Sequence, residues 1–322
     1  MANVQLVTGG GGFIGSNLVR ALLAQGRRVR VLDNFATGFR ENLDEVKNKI
    51  DLLEGDIRDP DMCRKACDGV DIVFHQAAIP SVPRSMEDPQ LSFDVNVVGT
   101  HHMLMAARDA GVRRFVFAAS SSAYGASEDL PKRETMAVLP LSPYAAAKAA
   151  GELLAATFYR AFGLPTVSLR YFNVFGPHQD PSNQYAGVIA AFALRMLGGE
   201  RPIIYGDGTQ SRDFTFIENV VHANLLAAEA PKVQGEVVNI GCGEAIDLNQ
   251  MVAAFNEVLG TSLEPIYEPP REGDVKHSLA DVSAAKKLLG YKPQVRFTDG
   301  LRQTIGWYRW ALETGYGGWA KR

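Results

Sequence analysis

Cysteine is scarce in this chain: Cys63, Cys67 and Cys242 are the three thiols in 322 residues. That number excludes a disulfide framework and leaves too few partners nearby for a zinc cluster, so no metal site is expected. Cys63 and Cys67 are at helical spacing and read as packing residues. No uninterrupted apolar run reaches the length of a membrane span, and no charged leader with an apolar core precedes the first strand. The chain therefore reads as cytoplasmic, with no membrane partner. An excess of one charge is also missing. Lys and Arg number 33 against 36 Asp and Glu, and the net charge of −3 supplies no electrostatic footprint for nucleic acid. Internal repeats and low-complexity tracts are absent too. A small molecule is the ligand these absences leave.

What is present is ordinary soluble-protein material, 46% hydrophobic and 21% charged, in a chain long enough for a large core and about two domains. The N-terminal half alternates strand and helix with short links, the pattern of a parallel sheet built from βαβ units. Strands are expected at Val4–Thr8, Arg28–Asp33, Asp51–Gly55, Asp71–His75, Phe115–Ala119 and Thr166–Tyr171, with helices at Asn17–Gln25, Leu91–Ala110 and Tyr144–Phe162. After Asn173 the rhythm changes to Gly and Pro clusters such as "FGPHQDPSNQYAG" and "LGGERPIIYGDGTQ". Gly235–Ile240 reads as one more strand of the first sheet, and Trp307–Trp310 as part of a terminal packing helix. The expected fold is α/β, a Rossmann-type doubly wound parallel sheet with a smaller mixed α/β C-terminal lobe. Residues 1–173 form the first unit, with return segments near 215–245, and 174–322 mainly form the second.

"VTGGGGFIG" follows the first strand and opens the first helix, with Gly9, Gly12 and Gly15 at G-x-x-G-x-x-G spacing. Glycines let the backbone turn tightly and approach a pyrophosphate at the positive end of a helix. Asp33 ends the next strand, near the offset at which a carboxylate accepts from a ribose 2′-OH and repels a 2′-phosphate, which favours NAD over NADP. Asp56, in "EGDIRD", either accepts from adenine or caps its own loop.

"SPYAAAK" carries a second signal. Ser142 and Pro143 are a favourable N-cap and first-turn pair, and Tyr144 and Lys148, four apart, then share one helical face. A lysine ammonium and a helix N-terminus both favour a phenolate, so the pair could be a tyrosine base, although Y-x-x-x-K alone is a common accident. Ser120, 24 residues before Tyr144 at the end of a central strand, either joins it as a proton-transfer partner or belongs to a plain serine-rich turn.

In their order, "TGGGGFIG", "LDNFATG", "GDIRD", "HQAA", "VNVVGT", "FVFAASSSAYG", "SPYAAAK", "LRYFNVFGP", "GDGTQSRDFTFIENV" and "REGDVKHSLAD" give a chain that resembles the extended short-chain dehydrogenase/reductase superfamily. Within it the nucleotide-sugar 4-epimerases are the nearest group, over nearly the whole length. The resemblance implies bound NAD, contacted by Gly9, Gly12, Phe13, Ile14 and Gly15, by Asp33, Asn34 and Gly38, and by Asp56 and Ile57. Gln76, Ala77, Ala78, Asn96, Tyr144, Lys148 and Tyr171 complete that set. It implies Ser120, Tyr144 and Lys148 as catalytic residues that oxidise the sugar at C4 to a transient 4-keto sugar and return the hydride to the opposite face. It also implies a UDP-sugar held by Ser81, Arg84, Ser122, Asn173, Val188, Tyr205, Arg212, Arg271 and Ser278. Arg212 and Arg271 would clamp the diphosphate, and Val188 and Tyr205 would flank the uracil.

The 4,6-dehydratases of the superfamily carry Asp-Glu after the hydroxyl residue, where this chain has Ser121 and Ser122. The glutamate of the nucleotide-glucuronate decarboxylases is missing as well. Ser278 stands at the family's gatekeeper beside the hexose C2 substituent, where serine leaves room for an N-acetyl group. UDP-GlcNAc/UDP-GalNAc is thus the expected pair, with UDP-glucose/UDP-galactose also accepted. UDP-glucuronate is the competing substrate, its C6 carboxylate within reach of Arg84 or His178, and a catalytically silent NAD-binding regulator is the alternative from another class. The family's mode of pairing implies a homodimer through the Leu91–Ala110 and Tyr144–Phe162 helices.

Overall fold

A computed structural model of the chain describes residues 4–181, 187–270 and 276–317. Seven parallel strands form its main sheet: β1 (Val4–Thr8), β2 (Arg28–Asp33), β3 (Ile50–Glu54), β4 (Val70–His75), β5 (Arg114–Ser120), β6 (Thr166–Tyr171) and β7 (Glu236–Ile240). Their order is β7-β6-β5-β4-β1-β2-β3, the doubly wound Rossmann arrangement with its crevice where the order reverses between β1 and β4. Side chains alternate across the sheet, so Leu6, Leu32, Val73, Phe115 and Phe117 join one buried core. Their neighbours Val7, Val31, Phe74 and Val116 join the other. Both faces are covered, as a parallel sheet requires.

The flanking helices are α1 (Phe13–Ala24), α2 (Pro60–Cys67), α3 (Val82–Glu87), α4 (Pro89–Phe93), α5 (Thr100–Asp109) and α6 (Pro143–Phe162). Strand ends fall within a residue or two of the sequence expectation, whereas two helices differ from it. α1 starts at Phe13, four residues early, because its N-cap is Gly12, which offers no side-chain cap to read. Leu91–Ala110 is not one helix. Asp88 caps α4 by accepting from the Leu91 N–H at 2.9 Å, and a π-helical turn at Asp94–Gly99 then separates α4 from α5. The wider turn faces the buried Asn96 inward, where its carboxamide accepts from Ile79 N at 2.8 Å and donates to Ile79 O at 3.2 Å.

The C-terminal half supplies short pairings: Val174–Phe175 with Thr215–Phe216, Ser211–Arg212 with both Ile246–Asp247 and His277–Ser278, and Ile203–Tyr205 with Ile266–Glu268. Helices at 188–197, 217–229, 248–259, 283–289 and 297–314 pack around them. Among the described residues, no helix is long and apolar enough to cross a membrane. No group of three or more His, Cys, Asp or Glu among them is placed to hold a metal ion.

Candidate active site

The β1–α1 turn builds the first part of the site. Gly9 has φ +70°, and a Cβ on it would lie 2.7 Å from Ala77 N. Only glycine lets the turn lie this close to the chain leaving β4. A groove runs along the carboxyl ends of the strands, lined by Gly9, Gly12, Phe13, Ile14 and Gly15. Asp33, Asn34, Gly38, Asp56 and Ile57 line it from β2 and β3, and Gln76, Ala77 and Ala78 from β4. Tyr144, Lys148 and Tyr171 close its inner end.

Asn96 alone of the expected cofactor residues does not line the groove. Its side chain fastens the Ile79 backbone beside the groove. Asp33 is buried, and its carboxylate accepts from Gly11 N and Phe35 N, each at 2.7 Å. Burial raises its pKa, and those two backbone donors work against the rise. Asp56 fits its loop-capping reading. It lines the groove, and it also holds its own turn by accepting from Arg58 N at 2.8 Å and from the Arg58 guanidinium at 2.7 Å.

α6 brings the second part. Ser142 Oγ caps it by accepting from Ala145 N at 3.2 Å, and Pro143 occupies the first turn. Tyr144 and Lys148 share the face toward β5. The Lys148 ammonium donates to Ala118 O at 2.8 Å and lies 5.9 Å from the centroid of the Tyr144 ring. The phenol is pushed up, not down: burial dominates, and the Ser120 hydroxyl's hydrogen bond only partly offsets it. Burial is the larger effect on the phenol, so a neighbouring cation has that desolvation to work against in favouring the phenolate. Lys148 itself is pulled down to about 8 by burial, with Glu152 acting in the opposite sense.

Ser120 ends β5 facing Tyr144, and its hydroxyl accepts from Ser122 N at 3.2 Å and Ser122 Oγ at 2.8 Å. A cavity of about 560 Å³, large enough for a small-molecule ligand, opens beyond it, lined by Ser120, Ser122, Tyr144, Asn173, Arg212 and Ser278. No Asp or Glu is among its described lining residues. Phe13, Ile14, Tyr144 and Tyr171 belong to this cavity and to the groove alike. Asn173 and Arg212 also edge a third cavity, which Val188 lines. The three spaces therefore form one path from the glycine turn to the C-terminal half. Asn173 Nδ2 donates to Asp213 O at 3.0 Å, and the Arg212 guanidinium donates to Lys276 O at 3.1 Å.

Three of the expected substrate residues fall elsewhere among the described residues, and a fourth is not described. Ser81 is buried, and its hydroxyl caps α3 by accepting from Arg84 N at 3.2 Å. Arg84 is on the exposed face of that short helix. Tyr205 is exposed on its strand and lines none of the three cavities. Arg271 lies outside the described residues. His178, considered for a carboxylate, instead packs on Trp307 and shares hydrogen bonds with Asn42 and Tyr316.

The sequence reading also missed groups. Lys132 is buried and lines the large cavity beside Tyr124, yet "LPKRE" carries no motif that would single it out. His75 lies under the site between Thr8 and Thr100; its place in "HQAA" was the available signal. Glu152 and Arg170, a buried pair behind Lys148, were signalled only by the i+4 spacing of Glu152 from Lys148.

Residues 5–241 match the model of the NAD dependent epimerase/dehydratase family. A UDP-glucose 4-epimerase of Mycolicibacterium smegmatis is 39% identical over 308 residues, covering 94% of this chain and 98% of that one. A UDP-glucuronate 4-epimerase of Thermodesulfobacterium geofontis is 34% identical over 320 residues, covering 96% and 97%. Among solved structures, the UDP-N-acetylglucosamine 4-epimerase of Methanobrevibacter ruminantium M1, in complex with UDP-N-acetylmuramic acid, is similar with TM-score 0.91 and 38% identity, covering 96% of this chain and 98% of that one.

Proposed function

The chain belongs to the NAD-dependent epimerase/dehydratase family, and on that premise we propose that it inverts C4 of a UDP-hexose. UDP-GlcNAc/UDP-GalNAc is the favoured pair, and UDP-glucose/UDP-galactose is accepted as well. The observation that carries this reading is the convergence of Ser120, Tyr144 and Lys148 where the groove meets the large cavity.

The groove's residues suit NAD. Gly12 is the N-cap of α1 and supplies no side-chain cap, leaving first-turn amides for a pyrophosphate, and Asp33 and Asn34 suit a ribose. NAD, when bound, supplies a hydride acceptor for C4 that returns what it takes, so net oxidation is zero. The chain's own residues handle the proton and the substrate. Tyr144 takes the proton of the sugar 4-OH, Ser120 holds the 4-oxygen, and Lys148 provides the fixed cation that the buried phenol needs to ionise. The 4-keto sugar turns about its diphosphate linkage, held by Arg212 and Arg271, and Tyr144 returns the proton to the inverted sugar. Asn173 and Val188 hold the nucleotide end.

Residues 1–173 serve the cofactor and 174–322 mainly the UDP-sugar. A hydroxyl turn, Ser120 to Ser122, in a cavity without a carboxylate among its described lining argues against elimination or decarboxylation. Ser278, in the same lining, leaves space for an N-acetyl group. One observation favours UDP-glucuronate as the second reading: the buried cation Lys132 lines that cavity too.

A proton NMR time course of the purified protein, without added NAD, tests the proposal against UDP-GlcNAc, UDP-glucose and UDP-glucuronate in separate tubes. The C4 epimer should appear with the first two, and Tyr144→Phe should keep fold and cofactor yet lose turnover by about 10²-fold or more. Conversion of glucuronate alone would transfer the substrate to the second reading. No conversion of any sugar, even with NAD supplied, would overturn the epimerase.

A further inference from the structure

A buried ion pair is often no more stable than two apolar side chains of the same volume, so its presence in a core calls for a reason. Glu152 and Arg170 form such a pair, with side chains 5% and 4% exposed. The carboxylate accepts from Arg170 Nε at 2.8 Å and from Arg170 Nη2 at 2.7 Å, a bidentate clamp. Glu152 lies one turn beyond Lys148 on α6, as Lys148 lies one turn beyond Tyr144, so the three share one stripe of the helix. Arg170 comes from β6, directly before Tyr171, and its guanidinium sits 4.6 Å over the ring of Tyr124 in the wall of the large cavity.

We propose that Glu152, clamped by Arg170, is a positioning residue whose fixed negative charge keeps the Lys148 ammonium protonated inside the buried wall of the site. The proposal rests on the reading of Lys148 as the cation that serves Tyr144.

The surroundings of Lys148 leave that task to Glu152. β5 offers the Ala118 carbonyl and the Phe117 ring, both neutral. β4 offers His75, neutral because burial and Lys148 itself push it down to about 3. β6 offers Tyr171, pushed up to about 12 by burial, and Arg170, whose charge Glu152 already meets. The turn after β5 brings Tyr124, whose phenol burial also raises. α3 and the π-helical turn pack on α6 with their charged residues Arg84, Glu87 and Asp94 at exposed or half-exposed positions. α4, between them, carries no charged side chain, and α5, which also packs on α6, has His101, His102, Arg108 and Asp109 at exposed or half-exposed positions. Burial also pushes the Glu152 carboxyl up, and Arg170 and then Lys148 hold it ionised. The order of support therefore runs from β6 to Glu152 to Lys148 to Tyr144.

Two variants test it in the NAD-loaded protein. Glu152→Gln keeps the shape and one acceptor for Arg170. The double exchange Glu152→Met with Arg170→Met removes both charges and orphans neither, so folding does not hang on one design. Lys148 is followed by ¹³C NMR of ε-labelled lysine, assigned with Lys148→Met, alongside the pH profile of turnover. In both variants the Lys148 titration should move to lower pH by about one unit, the alkaline limb of turnover moving with it. The shift should be larger in Glu152→Gln, where an unneutralised Arg170 adds repulsion. A Lys148 titration that stays in place in either folded variant overturns the proposal, while loss of turnover in Lys148→Met leaves the underlying mechanism standing. Full turnover in Lys148→Met removes that mechanism and the proposal together.

Discussion

Under the site, His75 is held from both sides: Thr8 Oγ1 is 2.8 Å from Nδ1 and Thr100 Oγ1 is 3.0 Å from Nε2. A neutral imidazole donates at one nitrogen and accepts at the other, and two hydroxyls can satisfy both. Burial, aided by Lys148, pushes the ring from 6.5 to about 3. His178 is pushed to about 3 in the same way, by burial first and then by Arg20. The folded values lie below the unfolded ones, so each ring contributes stability that is present above pH 6.5 and is lost as pH falls toward 3. Between pH 7 and pH 5 the loss is roughly 2 kcal/mol for each ring. Urea unfolding at pH 5, 6 and 7 should show that decline, and His75→Gln, whose amide can still meet both threonines, should flatten it by about one ring's share. An equal pH slope in parent and variant would mean that His75 is not the group being titrated.

Among the elements, the glycine turn into α1 has the least room for change. A Cβ on Gly15 would lie 2.1 Å from Gly9 O and 2.9 Å from Gly10 Cα, both backbone atoms that cannot swing away. Gly15→Ala should therefore open the turn at a cost of about 1–3 kcal/mol and weaken retention of NAD. Gly306, inside the 297–314 helix, would meet nothing within 4 Å, so Gly306→Ala should be neutral or stabilising by up to about 1 kcal/mol. Thermal unfolding and the cofactor content of the purified variants would check both. Equal behaviour of the two variants would show that the close approach at Gly15 does not govern the turn. The π-helical turn between α4 and α5 makes the complementary point. Its extra residue puts Asn96 against Ile79, which fixes the chain leaving β4 where the groove needs it.

For the whole molecule, the outer faces of α3, α4 and α6 leave Met86 at 63%, Phe93 at 52%, Leu153 at 68% and Phe162 at 53% exposure. An apolar face of this kind suits a partner surface, and we propose that a second copy of the chain covers it. Light scattering should give the mass of a dimer for the parent and of a monomer for Leu153→Glu. A Leu153→Glu protein that keeps the parent's dimer mass would move the interface to another face.

The sequence by itself determined the sheet, because short apolar strands alternating with helices through short links, glycine turns and capped helices are local signals. Val4–Thr8, Arg28–Asp33 and Thr166–Tyr171 are found at the expected bounds. It also determined which residues come together at Gly9–Gly15, Asp33 and Tyr144–Lys148, because each of those groups is fixed by one element or by one strand–turn–helix unit. Tertiary structure alone decided what depends on burial and on residues far apart in the chain. The Tyr144 phenol is raised, Ser81 caps α3, and Lys132 lines the large cavity. Glu152 meets Arg170 across 18 positions. The physical reason is the same in each case: desolvation and charge pairing are set by everything packed around a group, and a motif shows only that group's neighbours along the chain.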